Sequence, residues 1–373
     1  MYIIAGHATL IDGKIYESPV NTLVETISTM NQDFIFIRHF MNGEKNSIVY
    51  VLHGQKIVSA VELQTTSNIA PLRYLKEIIA TIKLLRGAKI MRPVYFIGAD
   101  PLNGICGIVA KFLKLVDKSV FFSVDYSKSR FKNTLLNFIY HSIDAIAAKY
   151  STQTWNVSSR ILKIHQLQNL NSNSNLLLPN TPSNIWEKYK SNQKNPYKLI
   201  TLSQIDEQLD FVSIISAVSQ LKNEFPKIEL NVYGNGKLLD HYRNYIINNR
   251  LTQFIFFHGA VSHDQALEAI STSGIGLAPY TGKWSFNFYG DSMKCREFLC
   301  FGLPIITTNN HSTADEIAQF EAGIVLLNGN YGYADGVRDI LKSYDQFSEN
   351  ALILHKKYEG IHLKSLINLA NSN

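Results

Sequence analysis

The stretch DSMKCREFLCFGLPIIT, residues 291–307, places three charged residues directly before an apolar run and a Gly-Leu-Pro turn. At the helical period, Lys294 and Glu297 lie on nearly the same face. Gly302 is a typical helix end, and Pro304 prevents the helix from continuing. The next apolar run follows at once. The pattern therefore predicts a short buried helix, charged near its start, that leads straight into a buried strand.

The start of this helix has the chemistry of an anion site. A helix N-terminus offers unpaired N–H groups and a positive dipole end, which suit a phosphate. Ser292 can cap the helix, Lys294 adds a positive charge, and the Glu297 carboxylate can accept two hydrogen bonds from a ribose diol. The set suits a nucleoside diphosphate. The alternative is that Asp291 and Ser292 only cap the helix, while Lys294 and Glu297 are solvated.

Outward from this stretch, short β-branched or aromatic runs alternate with longer amphipathic segments, which predicts parallel βαβ units. In the first half the strand candidates are Tyr2–Ala5, Phe34–Ile37, Ser47–Val51, Val94–Ile97, Ser119–Ser123 and Thr154–Val157, and the helix candidates are Val20–Met30, Leu72–Leu85, Gly104–Leu115 and Lys132–Lys149. The alternation resumes at Leu199–Leu202 and continues to Ile324–Leu327.

Between the two halves, segment 168–198 is rich in Asn, Ser and Pro and is interpreted as a linker. We expect an N-terminal domain over 1–184, a C-terminal domain over 185–358 and a C-terminal tail over 359–373. The C-terminal domain would close with a helical stretch at about Tyr331–Tyr358. Two successive α/β domains predict a cleft, with ligands outside the carboxyl ends of the strands.

Composition supports a folded, globular chain. Of 373 residues, 46% are hydrophobic and 18% are charged. We expect no signal peptide, because the N-terminus has neither a basic flank nor a long apolar core, and no transmembrane helix. Three cysteines without metal-like spacing indicate small core residues in a reduced, cytoplasmic protein.

The positive charge is concentrated in the first half. Up to Asn184 there are 19 Lys and Arg against 11 Asp and Glu, so the remainder carries a net charge of −2 within the total of +6. The basic residues are mixed with apolar ones in segments 71–93, 111–118 and 127–140. Such helices can lie on an anionic membrane surface; the alternative is a solvated helix face. No nucleic-acid reader motif occurs, so we expect no nucleic-acid partner.

The segment SMKCREFLCFGLPIITTNN (292–310) resembles the donor site of GT-B glycosyltransferases, in particular the family-four-like members, or glycosyl transferases group 1. ELNVYGNGKLLDHY (229–242) is similar to their strand followed by Gly-x-Gly, and FIFFHGAVSHDQALEAISTSGIGLAPY (254–280) to the blocks that come next. The likeness is specific from about Lys198 to Val325. It implies the GT-B fold: two Rossmann-like α/β domains that face each other across a cleft.

By this resemblance, Glu297 would bind the ribose of a nucleoside diphosphate sugar and Lys294 its diphosphate. Segment 259–263 would meet the base. The remaining donor-site candidates, grouped by the same likeness, are Ser292, Asp291, Gly234, Gly236 and Tyr280. The chain departs from the family pattern in two places, since Tyr289 stands where many relatives have a second Glu, and LSQIDEQLDF (202–211) lacks the usual glycine.

Loops of the first domain would build the acceptor side. His7 follows the first strand and is either a base or polar contact, or a hydrogen-bonded loop histidine. Asp100 or Asn103 would cap the helix that follows them. Asp125 follows a buried strand. Its place is similar to that of the catalytic Asp in membrane-associated glucuronosyltransferases of exopolysaccharide synthesis, which this chain resembles. It would act as general base, position the sugar, or only cap the next helix.

No Asp-x-Asp, His/Cys cluster, P-loop or nucleophile elbow occurs. We therefore expect a metal-independent glycosyltransferase without a cofactor. It would move a sugar from a nucleoside diphosphate sugar, with UDP as the expected nucleotide, to a saccharide or polyprenyl-linked acceptor in cell-surface polysaccharide synthesis. It would be cytoplasmic and peripheral at the inner face of the membrane. The alternatives are a nucleotide-sugar epimerase of GT-B fold and a non-catalytic nucleotide-sugar-binding scaffold.

Overall fold

The computed structural model describes residues 1–11, 14–17, 19–41, 45–88, 90–168, 174–182, 184–283, 285–327 and 332–372. The chain divides into two compact units. The N-terminal unit comprises Met1–Pro179 together with Gly360–Asn373, and the C-terminal unit comprises Asn180–Glu359. The chain thus returns to its first unit at the end.

The N-terminal unit contains a nine-stranded sheet in the order β5-β4-β3-β1-β6-β7-β8-β9, with β2 beside β1. Strands β3, β1, β6, β7, β8 and β9 are parallel, while β2, β4 and β5 pair antiparallel to their neighbours. The strands are β1 Tyr2–Ile11, β2 Lys14–Glu17, β3 Asp33–Phe40, β4 Ser47–His53, β5 Lys56–Leu63, β6 Tyr95–Ala99, β7 Lys118–Ser123, β8 Gln153–Asn156 and β9 Asn175–Leu177.

The antiparallel edge differs from the parallel βαβ pattern predicted for the whole chain. Only six residues lie between β3 and β4 and two between β4 and β5, and a parallel pair needs a crossover of about a dozen residues or more, so these strands run antiparallel. Gly54, at φ 55°, forms the tight turn between β4 and β5. The strand β5 itself was missed, because every residue of it except Leu63 is exposed and no buried face imposes a pattern on it.

The described residues of the N-terminal unit form the α-helices α1 Val20–Thr29, α2 Ala70–Gly87, α3 Pro101–Phe112, α4 Thr134–Tyr150, α5 Ser159–Gln168 and α14 Ile361–Asn371. Strand residues such as Ile3, Ile37 and Phe96 form a core with side chains from α2 and α3, among them Leu85 and Cys106. The apolar side chains of α2 and α3 that enter this core are thereby removed from water, which stabilises these helices.

The last residues, expected to form a tail, fold as α14 on the N-terminal unit. Leu366 and Leu369 are fully buried. The Tyr2 hydroxyl donates a hydrogen bond of 2.9 Å to the Leu366 carbonyl, and His362 Nε2 lies 2.9 Å from the Pro179 carbonyl. Burial of these leucines, spaced three residues apart, explains why the segment is ordered.

The C-terminal unit contains a six-stranded, wholly parallel sheet in the order β12-β11-β10-β13-β14-β15. Its strands are β10 Lys198–Leu202, β11 Glu229–Tyr233, β12 Ile255–Gly259, β13 Ile275–Ala278, β14 Ile305–Thr308 and β15 Gly323–Leu326. Its helices are α6 Phe211–Leu221, α7 Leu239–Asn248, α8 His263–Thr272, α9 Ser285–Tyr289, α10 Met293–Cys300, α11 Thr313–Gln319, α12 Tyr333–Lys342 and α13 Tyr344–Lys357. This is the alternation that the sequence predicts.

Two segments are more structured or more divided than expected. The predicted linker 168–198 contains β9 and a 3₁₀ helix, Asn184–Tyr189. The predicted helical stretch 331–358 is two helices, α12 and α13, and its first residue, Tyr331, lies outside the described residues. Across the described chain, we find no helix with both the length and the apolar character needed to span a bilayer.

Candidate functional site

The donor-site candidates of the C-terminal unit gather at the carboxyl edge of its parallel sheet. The connection after β13 carries Tyr280, passes through α9 and reaches α10, whose first turn therefore begins at this edge. The loops that follow β10, β11 and β12 begin at the same edge, since all these strands are parallel. In open α/β sheets this is where ligands bind.

The quoted stretch forms α10 as predicted, and Ser292 is its N-cap. The Ser292 hydroxyl accepts a hydrogen bond from the Cys295 backbone N–H at 3.4 Å and lies 2.9 Å from the Tyr280 hydroxyl. The Ser292 backbone N–H donates to Thr313 Oγ1 at 2.8 Å. The structure thus brings Tyr280 and Ser292 together as one buried support for the start of the helix.

Lys294 is half-buried on the first turn of α10, with its Nζ 4.9 Å from the centre of the Tyr280 ring. This is a cation–π contact. Within the described chain, Lys294 makes no ion pair. Burial lowers the pKa of Lys294 to about 8, against the raising influence of Cys295, Glu297 and Asp206. The ammonium is therefore positive at neutral pH, and an anionic ligand would stabilise it.

Glu297 lies one turn further along α10 and has 12% of its side chain exposed. Its Oε1 is 2.8 Å from Nε2 of His263, the first residue of α8. Among the described groups, none hydrogen-bonds Oε2. A capping box between Ser262 and Gln265 fixes the start of α8 and with it the backbone of His263. By the family resemblance, segment 259–263 would meet a nucleotide base, and the bond of His263 to Glu297 was not predicted.

Gly234 and Gly236 act through close backbone approach. Gly234 has φ 136°, and a Cβ atom there would lie 1.7 Å from the Ser203 carbonyl oxygen. A Cβ atom on Gly236 would lie 2.3 Å from the Ile205 carbonyl oxygen. Both glycines therefore allow the loop after β11 to pack on the loop after β10, which holds the two loops at the edge beside α10.

Asp291 is engaged inside the unit. With only 1% of its side chain exposed, it pairs with Arg296 Nη2 at 2.8 Å and accepts hydrogen bonds from the Asn180 backbone and Thr313 Oγ1, each at 2.8 Å. Arg296 also pairs with Glu316, and the Tyr358 hydroxyl donates to that same carboxylate. The contacts of Asp291 are structural ones, and a direct contact between Asp291 and a donor stays a prediction.

The ion pairs of Arg296 explain why this charged residue lies directly before the apolar run of α10. Arg296 points inward from α10, whereas Lys294 and Glu297 face the edge of the sheet. The burial of Arg296, with 6% of its side chain exposed, is offset by two carboxylates. Sequence reasoning missed Arg296, Glu316 and Tyr358 because Glu316 and Tyr358 lie 20 and 42 residues from their partners in the chain.

In the N-terminal unit, His7 on β1 lies between two carboxylates. Its Nδ1 is 2.6 Å from Asp100 Oδ2 and its Nε2 is 3.0 Å from Glu77 Oε2. Burial favours the neutral ring, but the charges and hydrogen bonds of Asp100 and Glu77 outweigh it and raise the pKa of His7 to about 10. Both ring nitrogens are engaged, so the geometry favours a hydrogen-bonded histidine over a general base.

Asp100 caps α3 as the sequence suggested. Its Oδ1 accepts hydrogen bonds from the backbone N–H groups of Leu102 at 2.9 Å and Asn103 at 3.0 Å. Its backbone lies at φ 81°, a value that residues other than glycine rarely adopt. The cap and the bond to His7 together hold this conformation.

Asp125 follows β7 and has 45% of its side chain exposed. Its Oδ2 lies 2.8 Å from Arg130 Nη1. The expectation that it merely caps the next helix is wrong, because Asn133 caps α4 by accepting from the Leu136 N–H. The carboxylate therefore remains accessible beside a cation. Its catalytic role stays a prediction.

The comparisons with known proteins agree with this arrangement. Residues 184–352 match the family model described as Glycosyl transferases group 1, which covers most of the C-terminal unit. No curated protein matches the chain significantly. The likeness to membrane-associated glucuronosyltransferases stays a prediction.

Several solved structures are similar over nearly the whole chain. HepE from Anabaena in complex with UDP has a TM-score of 0.67 at 11% identity, with 100% of both chains covered. WaaG, a glycosyltransferase involved in lipopolysaccharide biosynthesis, has a TM-score of 0.63 at 13% identity, also with 100% of both chains covered. Sucrose-phosphate synthase from Thermosynechococcus elongatus has a TM-score of 0.65 at 11% identity and covers 98% of this chain and 97% of its own. At these identities the likeness concerns the fold. The chain therefore has the GT-B fold of these structures, and residues 184–352 of its C-terminal unit are similar to the glycosyl transferases group 1 family.

Proposed function

We propose that this protein transfers a sugar from a nucleoside diphosphate sugar, with UDP as the nucleotide, to a saccharide or lipid-linked acceptor. The observation that carries the proposal is the start of α10, where Lys294 has a positive charge without an ion-pair partner among the described residues and Glu297 has an unengaged carboxylate oxygen. The complexes of HepE with UDP, and with UDP and glucose, support the choice of nucleotide.

The chemistry follows from charge. When the bond between the anomeric carbon and the diphosphate breaks, negative charge develops on the departing diphosphate oxygen. The Lys294 ammonium and the free N–H groups of the first turn of α10 are fixed beforehand and would stabilise that charge as it forms. Glu297 would accept hydrogen bonds from the ribose hydroxyls and so hold the nucleotide in register.

We propose that this stabilisation needs no metal ion. The cation and the helix dipole act on the same diphosphate that a metal would neutralise. Turnover that is unchanged by a strong chelator would support this, and turnover that is lost on chelation and regained with added Mg²⁺ or Mn²⁺ would contradict it.

On the acceptor side, we assign the part of general base or sugar-positioning group to Asp125. It is accessible and its carboxylate is held by Arg130. His7 supports the fold of this region instead, because neither of its nitrogens is available to take a proton. Asp125→Asn, which keeps the shape of the side chain, should lower kcat more than it changes the KM for the donor.

The start of α4 favours an acceptor at an anionic membrane surface. Five large apolar side chains of this region are 42–69% exposed, and they are Phe131, Leu135, Leu136, Phe138 and Ile139. Three cations, Lys128, Arg130 and Lys132, lie before or beside them in the chain, and no acidic residue occurs from 126 to 143. Apolar side chains combined with nearby cations suit the headgroup region of a bilayer. We therefore propose a cytoplasmic protein, peripheral at the inner membrane face.

The test of the donor site is a thermal-shift screen with UDP, GDP, dTDP, ADP and CMP, followed by measurement of UDP release from UDP-sugars. A ligand that binds the native state raises the melting temperature by mass action. UDP should give the shift, and Glu297→Ala should remove it. No shift with any nucleotide would overturn the proposal, while binding without sugar transfer to any saccharide or polyprenyl-linked acceptor would favour a scaffold.

A further inference from the structure

The first three turns of α4 have their polar and apolar faces reversed. The side chains on the inner face carry hydrogen-bonding groups and recur at helical spacing, and they are Asn137, Tyr140, His141 and Asp144. The outer face is apolar, with Leu135, Phe138 and Ile139 at 63%, 69% and 44% exposure. A surface helix in water has the opposite arrangement. The outer face of α4 therefore suits a medium other than water.

The inner face of α4 holds the loop between β7 and α4, residues 124–133, which carries Asp125. Asn137 accepts a hydrogen bond of 2.8 Å from the Phe131 backbone N–H and donates one of 2.5 Å to the Phe131 carbonyl. One turn further on, Nε2 of His141 lies 3.1 Å from the Lys128 carbonyl. The loop is thus bound to the helix through its own backbone at two points.

The Asp125 carboxylate is part of the same arrangement. The Arg130 guanidinium pairs with Asp125 at 2.8 Å and stacks on Tyr140 of α4, with its central carbon 5.1 Å from the ring centre. Only the Arg130 side chain therefore separates the carboxylate from the backbone beside Phe131. A surface that contacts Phe131 lies close to Asp125.

The contacts that hold the loop are weak enough to break locally. The hydrogen bonds from Asn137 and His141 to the loop are exposed to water, and loops held by such bonds open at a small cost in free energy. Phe131, 42% exposed, lies on the loop, whereas Leu135 and Phe138 lie on the helix. Loop and helix therefore present their apolar side chains together only while the loop is held on α4.

The charges of this surface indicate its partner. Lys128 and Lys132 are exposed, and neither has an ion pair with a described residue. No acidic residue occurs from 126 to 143. A second copy of this surface would bring like charges together, whereas an anionic bilayer offers both negative headgroups and an apolar interior.

We propose that an anionic bilayer binds the outer face of α4 together with the held form of the loop, and so orders the segment that carries Asp125. A partner that binds only one of two forms shifts the equilibrium toward it. The Asp125 carboxylate is then fixed beside the lipid headgroups, where it meets a hydroxyl of a lipid-linked acceptor rather than of a dissolved saccharide. That consequence for the acceptor rests on the proposed function, whereas the ordering of the loop does not.

The test is amide hydrogen exchange of the full chain, with and without vesicles of equal parts phosphatidylcholine and phosphatidylglycerol. Exchange in residues 125–131 should slow by about tenfold or more on vesicle binding, because the bilayer stabilises the held form of the loop. Leu135→Ser combined with Phe138→Ser should lower vesicle affinity by about tenfold or more, measured by vesicle sedimentation. Ile353→Ser, a similarly exposed residue of α13, is the control and should leave the affinity unchanged.

Asn137→Leu separates ordering of the loop from simple shielding by lipid. It removes both hydrogen bonds to Phe131 but keeps the outer face of α4, so vesicles should still bind while the slowing of exchange in residues 125–131 is lost. Asn350→Leu is the matched control, because Asn350 also lies on a helix and donates to a backbone carbonyl, that of Glu321 in the C-terminal unit. This control should keep the slowing.

Vesicles that do not bind the wild type, or that bind it without slowing exchange in residues 125–131, would overturn the proposal. So would slowing that persists in Asn137→Leu, or self-association through the outer face of α4 in place of vesicle binding. The measurement needs neither donor nor acceptor, so its outcome is independent of the UDP thermal shift that tests the proposed function.

Discussion

Both units place charged side chains at or near the carboxyl ends of parallel strands, but only one of the two sets leaves a charge unbalanced. In the N-terminal unit, the His7 imidazolium lies between Glu77 and Asp100, and each ring nitrogen has a carboxylate within 3.0 Å. In the C-terminal unit, Lys294 faces the ring of Tyr280 and has no ion pair in the part of the chain that is described. The carboxyl ends of parallel strands therefore carry a closed cluster in one unit and an open cation in the other.

The difference has a physical meaning. A buried charge that is matched by partners contributes to specifying the fold and has no capacity left for a ligand. A half-buried cation without a matching anion carries an unrecovered desolvation cost, and the bound diphosphate would offset it. Perturbed charge of the second kind is the better indicator of a functional site. Arg296 lies 2 residues from Lys294, on the inner face of the same helix. Its charge is matched by Asp291 and Glu316, so it belongs to the closed kind.

The largest expected effect is the opening of the closed cluster. His7→Gln leaves Glu77 and Asp100 without the cation between them, so the N-terminal unit should lose about 3–5 kcal/mol of unfolding free energy at neutral pH. Urea denaturation measures this. The matched control is His53→Gln, which breaks an exposed pair with Asp33 and should cost under about 1 kcal/mol. Equal effects of the two substitutions would contradict the distinction.

Removal of the open cation should affect catalysis and spare the fold. Lys294→Ala should lower kcat/KM by about 10²–10³, the usual cost of a lost electrostatic contact to a developing anion. Its unfolding free energy should fall by about 1 kcal/mol at most, because only the cation–π contact with Tyr280 is lost and no ion pair is broken. Lys227→Ala removes a charge at the amino end of β11 and is the control. A variant that loses stability but keeps its kcat/KM would reverse the assignment.

The pH dependence of stability tests whether His7 carries the positive charge of the closed cluster. The pKa of His7 is raised from 6.5 to about 10, so its contribution is fully present below pH 6.5 and is lost as pH rises through 10. The difference in melting temperature between wild type and His7→Gln should therefore shrink between pH 6.5 and 10. A difference that stays constant over this range would show that the ring does not carry the charge.

Lys294, the open cation, should lose its charge at a lower pH than His7, and the affinity for UDP should report this loss. Because burial lowers the pKa of Lys294 to about 8, the affinity for UDP should fall as pH rises through 8, by about tenfold for each further pH unit at most. Isothermal titration calorimetry measures this fall, and Lys294→Ala should remove it. Affinity that holds until pH approaches 10.5, the ordinary lysine value, would indicate a fully solvated ammonium.

The smallest expected effect belongs to His263, which lies 2.8 Å from the predicted ribose-binding carboxylate. His263→Ala should raise the KM for the donor about threefold to tenfold with little change in kcat, because the half-exposed bond orients Glu297 without taking part in chemistry. His241→Ala, an exposed histidine of α7, is the control. A large fall in kcat would indicate a more direct part in the reaction.

Much of the architecture could be predicted from the order of the residues. The alternation of apolar runs and amphipathic segments indicated the parallel sheet of the C-terminal unit, and Gly302 and Pro304 indicated the end of α10. The antiparallel strand β5 could not be predicted by the same reasoning, because its exposure leaves no periodic pattern. The helix α14 was taken for a tail, because its partner strands lie at the other end of the chain.

The sequence by itself determined the local features: where α10 begins and ends, which residues cap it, and which charges sit on its first turns. Only the tertiary structure decided which of those charges are neutralised. Arg296 meets Asp291 and Glu316, His7 meets Glu77 and Asp100, and Lys294 meets no carboxylate of the described chain within ion-pair distance. Capping and helical period depend on neighbours a few residues apart, whereas charge balance depends on side chains that only folding brings within a few ångströms.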